Sequence, residues 1–245
     1  MPRPENPALK KEMLAQATRL FSKKGYSDTS YSDIARASGI TKGLLQYYFP
    51  KKEQLATAMM EEVLHNAIDA LGFDGGDISG GGSLVGSTMA TDEGGHDSED
   101  KTSGNIESFE QLYEIGQVFF EFLLASEGTR RFLQDIVGDM KLVDSVLAFN
   151  LTWALDYAEE ETRSTDDEVV ESVVFSMGGF YSLLYYCLAH ERRFDVGKHL
   201  RYVMFRLMRT LGFDEEETNM ALDRSELSSR KLKSTLSKMK PLGGE

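Results

Sequence analysis

GYSDTSYSDIARASGITKGLLQYYFPKKEQL, residues 25–55, decides the reading of this 245-residue chain. Ser30 followed three places later by Asp33 marks a helix start, and Ile34 and Ala35 give that helix an apolar side. Gly39 supplies the residue able to take a positive φ where two helices meet at a steep angle. Thr41 then caps a second short helix, Lys42 to Tyr48. Ile34, Ala35, Ile40, Leu45 and Phe49 are the residues able to lock the pair onto a preceding helix. That first helix is marked by Leu9, Met13, Ala17, Leu20 and Phe21, and Gly25 stops it. The second short helix is left with a polar and aromatic side made of Thr41, Lys42, Gln46, Tyr47 and Tyr48, with Lys51 and Lys52 just after. Amide and hydroxyl groups of this kind read base edges, and lysines and tyrosine hydroxyls hold phosphates. Gly43 removes a side chain where backbone would approach DNA closely.

Outward from this stretch the chain reads as helices throughout, and the fold class is all-α. Leu55, Met59, Val63 and Ala67 form one stripe, with Pro50 suited to the first turn of that helix. Phe109, Leu112, Tyr113, Gly116, Phe119, Phe120 and Leu123 form a second. A third runs from Val143 through Val146, Leu147, Asn150, Leu151, Trp153 and Ala154 to Tyr157. Thr165 and Glu168 make a capping box for a long helix reaching about His190. Asp195 caps a last core helix that ends at Gly212. Between them, residues 72–104 hold ten of the chain's 22 glycines and no apolar period, and read as a flexible Gly/Ser/Asp-rich insertion. Residues 213–245 read as a polar, basic, solvated tail. A short basic helix with Leu227, Leu232, Leu236 and Met239 is the weaker alternative there.

The formal net charge is −13, which alone argues against a polyanionic partner. The distribution argues otherwise. Residues 1–55 carry ten Lys/Arg against five Asp/Glu, residues 56–223 eleven against thirty-three, and residues 224–245 six against two. A basic head sits on an acidic body. Cys187 is the single cysteine, which excludes a disulfide framework and a multi-cysteine zinc site. It reads as a buried small hydrophobe, redox sensing being the lesser alternative. His65, His96, His190 and His199 follow no metal-ligand spacing, and no nucleophile, acid or base is placed for catalysis, so the chain is expected to be no enzyme and to hold no metal or cofactor. The start of the chain lacks the apolar core of a signal peptide, and the apolar runs fall short of the roughly 20 residues of a bilayer span. A cytoplasmic protein without membrane contact is the expectation.

The stretch 25–55 resembles the helix-turn-helix of the tetracycline-repressor (TetR) family of transcriptional regulators. The matching residues are Gly25-Tyr26, Asp33-Ile34-Ala35, Ser38-Gly39-Ile40, Lys42-Gly43, Leu45, Tyr47-Tyr48-Phe49 and Lys52-Glu53-Gln54-Leu55. The match covers about 50 residues, and the rest agrees with the family in element order and length. The resemblance implies a homodimeric repressor bound to a palindromic operator on double-stranded DNA and released by a small ligand. The expected division is a helix-turn-helix head at 1–55 joined by helix 51–71, the insertion 72–104, a ligand-binding and dimerisation body at 105–212, and the tail 213–245. By position, the implied DNA contacts are Thr29, Tyr31, Ser32, Thr41, Lys42, Gly43, Gln46, Tyr47, Tyr48 and Lys52. Gln46 departs from the tyrosine often found there and is able to pair bidentately with adenine. Tyr31 replaces a small residue, as a wedge into DNA or simply as an exposed ring.

In the body, core packing accounts for most aromatics. The resemblance places Phe119, Phe122, Phe149, Trp153, Tyr157 and Tyr181 around a cavity for an apolar or aromatic small molecule. Gly178 and Gly179 lie mid-helix at a cost of about 1 kcal/mol each, which close helix approach offsets. With Ser182, Tyr185, Tyr186, Met204 and Met208 they are the implied dimer interface. Two competitors remain: a helical protein-interaction protein with a degenerate head, and a small helical enzyme using the aromatic cavity.

Overall fold

The computed structural model describes residues 6–73, 101–147 and 165–242, the side chains of 101–107 excepted. Among the described residues every regular element is a helix. They are α1 (Pro7–Lys24), α2 (Tyr31–Ala37), α3 (Lys42–Tyr48), α4 (Lys52–Leu71), α5 (Lys101–Ala125), α6 (Glu127–Gly138), α7 (Asp166–Ala189), α8 (Val196–Thr210), α9 (Glu215–Ser225) and α10 (Ser229–Leu236). Residues 140–147 are also helical.

The sequence sets the ends of these helices through their caps. Asn6 Oδ1 accepts from the Ala8 and Leu9 amides ahead of Pro7. Ser30 and Asp33 cap α2 reciprocally, and Thr165 and Glu168 do the same for α7. Thr41 Oγ1 accepts from the Leu44 amide, so α3 begins where the sequence puts it. Each such cap is worth about 1 kcal/mol of helix stability. Gly25, Gly39, Gly72 and Gly212 all hold positive φ at or just after helix ends.

The head is α1–α3 closed by the first turns of α4. Met13, Phe21, Ile34, Leu45 and Leu55 have no exposed surface and form its core. The body packs α7 against α8 and α6, and α5 against α4, α6 and α8. α6 also lies on α1, so head and body meet at two places, through α4 and through α6. There Phe21 stacks on Phe132 with centroids 5.8 Å apart, and the Ser27 amide donates to Asp135 Oδ2 at 2.9 Å.

Two expectations about organisation change. Residues 101–104, assigned from composition to the insertion, belong to the first turn of α5. Residues 213–242 are not a solvated tail: α9 packs on α5 and α8, and α10 on α4 and α5. Burial of Ala221, Leu222, Leu227 and Met239 holds them there, with Gln117 and Asn66 bonding their backbone. α7 is long and apolar enough to cross a bilayer by length and composition. Its Val169, Val173, Phe180 and Leu184 are buried inside the chain, which accounts for much of that character. Cys187 is buried on the same helix.

The α1–α6 contact is close enough to test. A Cβ at Gly128 would run into the backbone carbonyl of Ser22. Gly128→Ala is expected to cost about 1–3 kcal/mol, the usual range for overpacking, read as a lowered denaturant midpoint. An unchanged midpoint contradicts this packing.

Candidate nucleic-acid interface

α3 is a two-turn helix, too short to stand alone, and its position is imposed by one buried side. Leu45 is fully buried, and Tyr48 and Phe49 nearly so. Tyr48 is held by its hydroxyl, which accepts the Asn6 amide at 2.8 Å and so ties the start of α1 to the end of α3. The opposite side carries Thr41, Lys42, Gly43, Gln46 and Tyr47, all exposed. Tyr47 is 47% exposed and meets the Tyr48 ring edge to face. Ser32 on α2 is exposed as well.

Four of the positions expected to touch DNA are used within the head instead. Thr29 is 1% exposed and its hydroxyl donates to the Gly25 carbonyl, because the turn between α1 and α2 folds it under the chain. Tyr48 is buried as described. Tyr31 is neither a wedge nor a freely exposed ring: its hydroxyl donates to the Phe49 carbonyl at 2.7 Å, joining α2 to the end of α3. Burial, with Glu53 nearby, pushes its hydroxyl pKa up to about 12, so it stays a donor at neutral pH. Lys52 Nζ donates to the Tyr26 and Thr29 carbonyls at 2.8 and 3.0 Å and lies 3.9 Å from the Tyr26 ring centre. Burial lowers its pKa. Lys52 thus buckles α4 to the α1–α2 turn, and an ammonium has three donors, so one remains beyond these two.

Sequence reasoning missed Lys10. Its ammonium sits 5.8 Å from the Phe49 ring centre, beside the end of α3. The available signal was Asn6-Pro7 as a helix start, which puts Lys10 near the beginning of a helix whose other side is core. Arg36 is also outside, its side chain 79% exposed and paired with Asp33 at 3.6 Å.

Gly43 separates fold from function. A Cβ built there has nothing within 4 Å, and the helix geometry is ordinary. The fold places no demand for glycine at this position; a partner's close approach would.

The body holds a cavity of about 130 Å³. α4 lends it Thr57, Met60 and Leu64; α5 lends Leu112, Ile115, Gly116, Phe119 and Phe120. Val146, Ser176, Met177, Tyr181 and the α8 residues Leu200, Val203, Met204 and Leu207 complete most of the wall. No charged side chain is among the described lining residues. Of the residues expected there, Phe119 and Tyr181 line it. Phe122 does not; it packs half-buried against the core. Phe149, Trp153 and Tyr157 lie outside the described residues. At Gly116 a Cβ would meet a methyl of Leu200 at 2.7 Å, at the end of a side chain able to shift, so α5 and α8 lie close here.

The expected dimer residues also divide. Gly179, Ser182, Tyr185 and Tyr186 are exposed on α7, and Gly178 is partly so, with open space above both glycines. Met204 and Met208 are 3% and 0% exposed. They belong to the inner stripe of α8, which faces the chain's own α5 and α7, and are not available to a second copy. The outer side of α8 carries Tyr202, 65% exposed, and Arg206 and Arg209. Phe175 is 79% exposed on α7, in a shallow groove with Glu168, Glu171, Arg206 and Arg209. Among the described residues no group of three His, Cys, Asp or Glu is able to hold a metal ion.

Gly43→Ala is expected to leave the thermal midpoint unchanged or slightly raised, alanine being the better helix residue, while weakening DNA binding at least tenfold, about 1.4 kcal/mol. Gln46→Ala is expected to relax base preference at one position with overall affinity nearly kept. Binding isotherms on specific and scrambled duplexes read both, and undisturbed binding by Gly43→Ala contradicts the interface.

Comparison with known proteins places the head. Residues 13–59 match the family model of bacterial regulatory proteins, tetR family. The chain is 40% identical over 57 residues to the HTH-type transcriptional regulator RutR of Escherichia coli K12, covering 23% of this chain and 27% of RutR. It is 39% identical over 69 residues to the HTH-type transcriptional repressor KstR2 of Mycolicibacterium smegmatis, covering 28% and 32%. The matched stretch is therefore under a third of these relatives. A TetR-like transcriptional regulator from Rhodococcus sp. RHA1 aligns with a TM-score of 0.40 at 16% identity, covering 86% of this chain and 100% of that one. The segment that builds most of α1, α2, α3 and the start of α4 is thus similar to the DNA-reading head of the tetR family of bacterial regulatory proteins.

Proposed function

We propose that this chain is a cytoplasmic, homodimeric transcriptional repressor that binds a palindromic operator and is released from it by a small, uncharged, largely apolar ligand. The observation that carries the reading is the exposed row Thr41, Lys42, Gly43, Gln46 and Tyr47 on a helix whose other side is locked by Leu45 and Tyr48. A rigid, capped helix with amide, ammonium and hydroxyl groups outward suits the major groove, where Gln46 meets a base edge and Lys42 a phosphate. Lys10 and Lys51 extend the basic surface on either side. Repression is supported by the kinship of the head with KstR2, a repressor.

The ligand class follows from the cavity. Burying an unpaired carboxylate among Met60, Leu112, Phe119, Val173 and Leu200 costs several kcal/mol or more, whereas Thr57, Ser176 and Tyr181 suit a hydroxyl or carbonyl. Met60, Met177 and Met204 make the wall adaptable. Dimerisation uses the exposed side of α7 around Phe175, Gly178, Gly179, Ser182, Tyr185 and Tyr186, together with Tyr202. Glu168 and Glu171 of one copy would face Arg206 and Arg209 of the other across a two-fold axis. Two heads then span half-sites roughly 34–36 Å apart.

Genomic fragments from the source organism retained by the purified chain are expected to be enriched in palindromes, with binding that weakens steeply with salt. Retention without sequence preference favours a protein-interaction protein with a degenerate head. Added 1-decanol is expected to raise the thermal midpoint and release the retained fragments, and decanoate at equal free concentration to do neither. Tighter binding of decanoate contradicts the uncharged class. Phe175→Arg is expected to shift the sedimenting species from dimer to monomer without loss of helicity, and a persistent dimer places the interface elsewhere.

A further inference from the structure

Three groups of contacts bind the C-terminal residues to the body at sites far away in sequence. The first is Gln117 on α5, 4% exposed. Its amide donates to the Ser225 carbonyl at 3.1 Å and its oxygen accepts the Leu227 amide at 3.1 Å. The second is a pair of ion pairs onto α5, Arg224 with Glu110 and Lys231 with Glu114. The third is on α4. Asn66 Nδ2 donates to the Lys240 carbonyl at 2.9 Å, and Asn66 Oδ1 accepts the Lys240 amide at 3.0 Å. One side chain thus closes on both polar groups of a single backbone residue. Thr235 and Met239 are buried beside it.

The chain therefore passes back over α5 and fastens on the last turns of α4. α4 is one unbroken helix that packs on α1 and α5, and three points along it matter here: Lys52 at the head, Met60 and Leu64 at the cavity wall, and Asn66 at the C-terminal strap. A rise of 1.5 Å per residue puts Met60 about 9 Å and Lys52 about 21 Å from Asn66. A helix held at Asn66 and pushed at Met60 moves roughly twice as far at Lys52. Lys52 is bonded to the α1–α2 turn through Tyr26 and Thr29, so the head follows.

We propose that the C-terminal strap, residues 226–240, is the fulcrum of α4: it pins the end remote from the head, so that displacement at the cavity wall arrives enlarged at Lys52 and the reading helix. The proposal rests on the ligand-responsive reading above. Without the pin, the last turns of α4 would be held by packing alone, through Ala67, Ile68 and Ala70, and would yield to part of the wall's movement. Within the strap Lys231 pairs with Glu114 of the acidic α5, and Arg224, two residues before the strap, pairs with Glu110.

Amide hydrogen exchange on the full chain tests this, with Asn66→Ala and Lys231→Glu as independent variants checked for unchanged helicity. The expected result is exchange faster by about tenfold along α4, reaching residues 52–58 at the head end. Affinity for the fragments retained by the wild-type chain is expected to fall several-fold, and release by 1-decanol to become weaker. Acceleration confined to residues 64–71, with DNA affinity and the decanol response unchanged, overturns the proposal and makes the strap a local clasp. If the wild-type chain retains no DNA, the functional reading falls, and exchange at 52–58 alone decides the fulcrum.

Discussion

The buried contact between Leu45 and the core of the head is the constraint on which the remaining arrangement depends. α3 has seven residues, and seven residues do not hold a helix in water. Leu45, fully buried in the same core cluster as Phe21, Ile34 and Leu55, supplies the position, and Thr41 and Tyr48 fix the ends. Only because one side is spent in this way does the opposite side stand outward as a fixed row. The same core includes Leu55, the first buried residue of α4, so the orientation of α3 and the direction of α4 are set by one cluster of side chains.

From there the structure is a chain of rigid connections. Lys52 fastens α4 to the turn before α2, and Met60 and Leu64 bring α4 past the cavity. A second connection runs from the body through α6, where Phe132 stacks on Phe21 and Asp135 accepts the Ser27 amide. Protein interiors are close-packed, so a guest in the cavity has to move a wall rather than be absorbed. Two of the walls, α4 and α5, are the helices that the C-terminal residues tie together.

The head was legible in the sequence because its signals are local. Ser30 with Asp33, Gly39, and Thr41 three residues before Leu44 each act within one turn, and the observed helix ends follow them. What local signals miss is how a side chain is spent. Thr29, Tyr31, Tyr48 and Lys52 all have groups suited to DNA, and all four are engaged by backbone groups or burial across the head. In α8 the stripe of Val203, Met204, Leu207 and Met208 announces an apolar side without saying whether its partner is the same chain or a second copy. The C-terminal helices were hidden for the same reason. Leu227, Leu232, Leu236 and Met239 give a weak stripe in a polar segment, and what stabilises them is Gln117, Glu110, Glu114 and Asn66, each over a hundred residues away. The net charge of −13 is the sum of a basic reading surface, an acidic body and a basic strap folded onto that body.

The central claim is that one face, and only that face, meets DNA. The most direct measurement is the structure of the full chain bound to a duplex that it retains. The account predicts α3 in the major groove, Gln46 against a base edge, and a phosphate close enough to the Gly43 backbone to exclude a methyl group. DNA lying against any other surface, or α3 turned away from the groove, would contradict it.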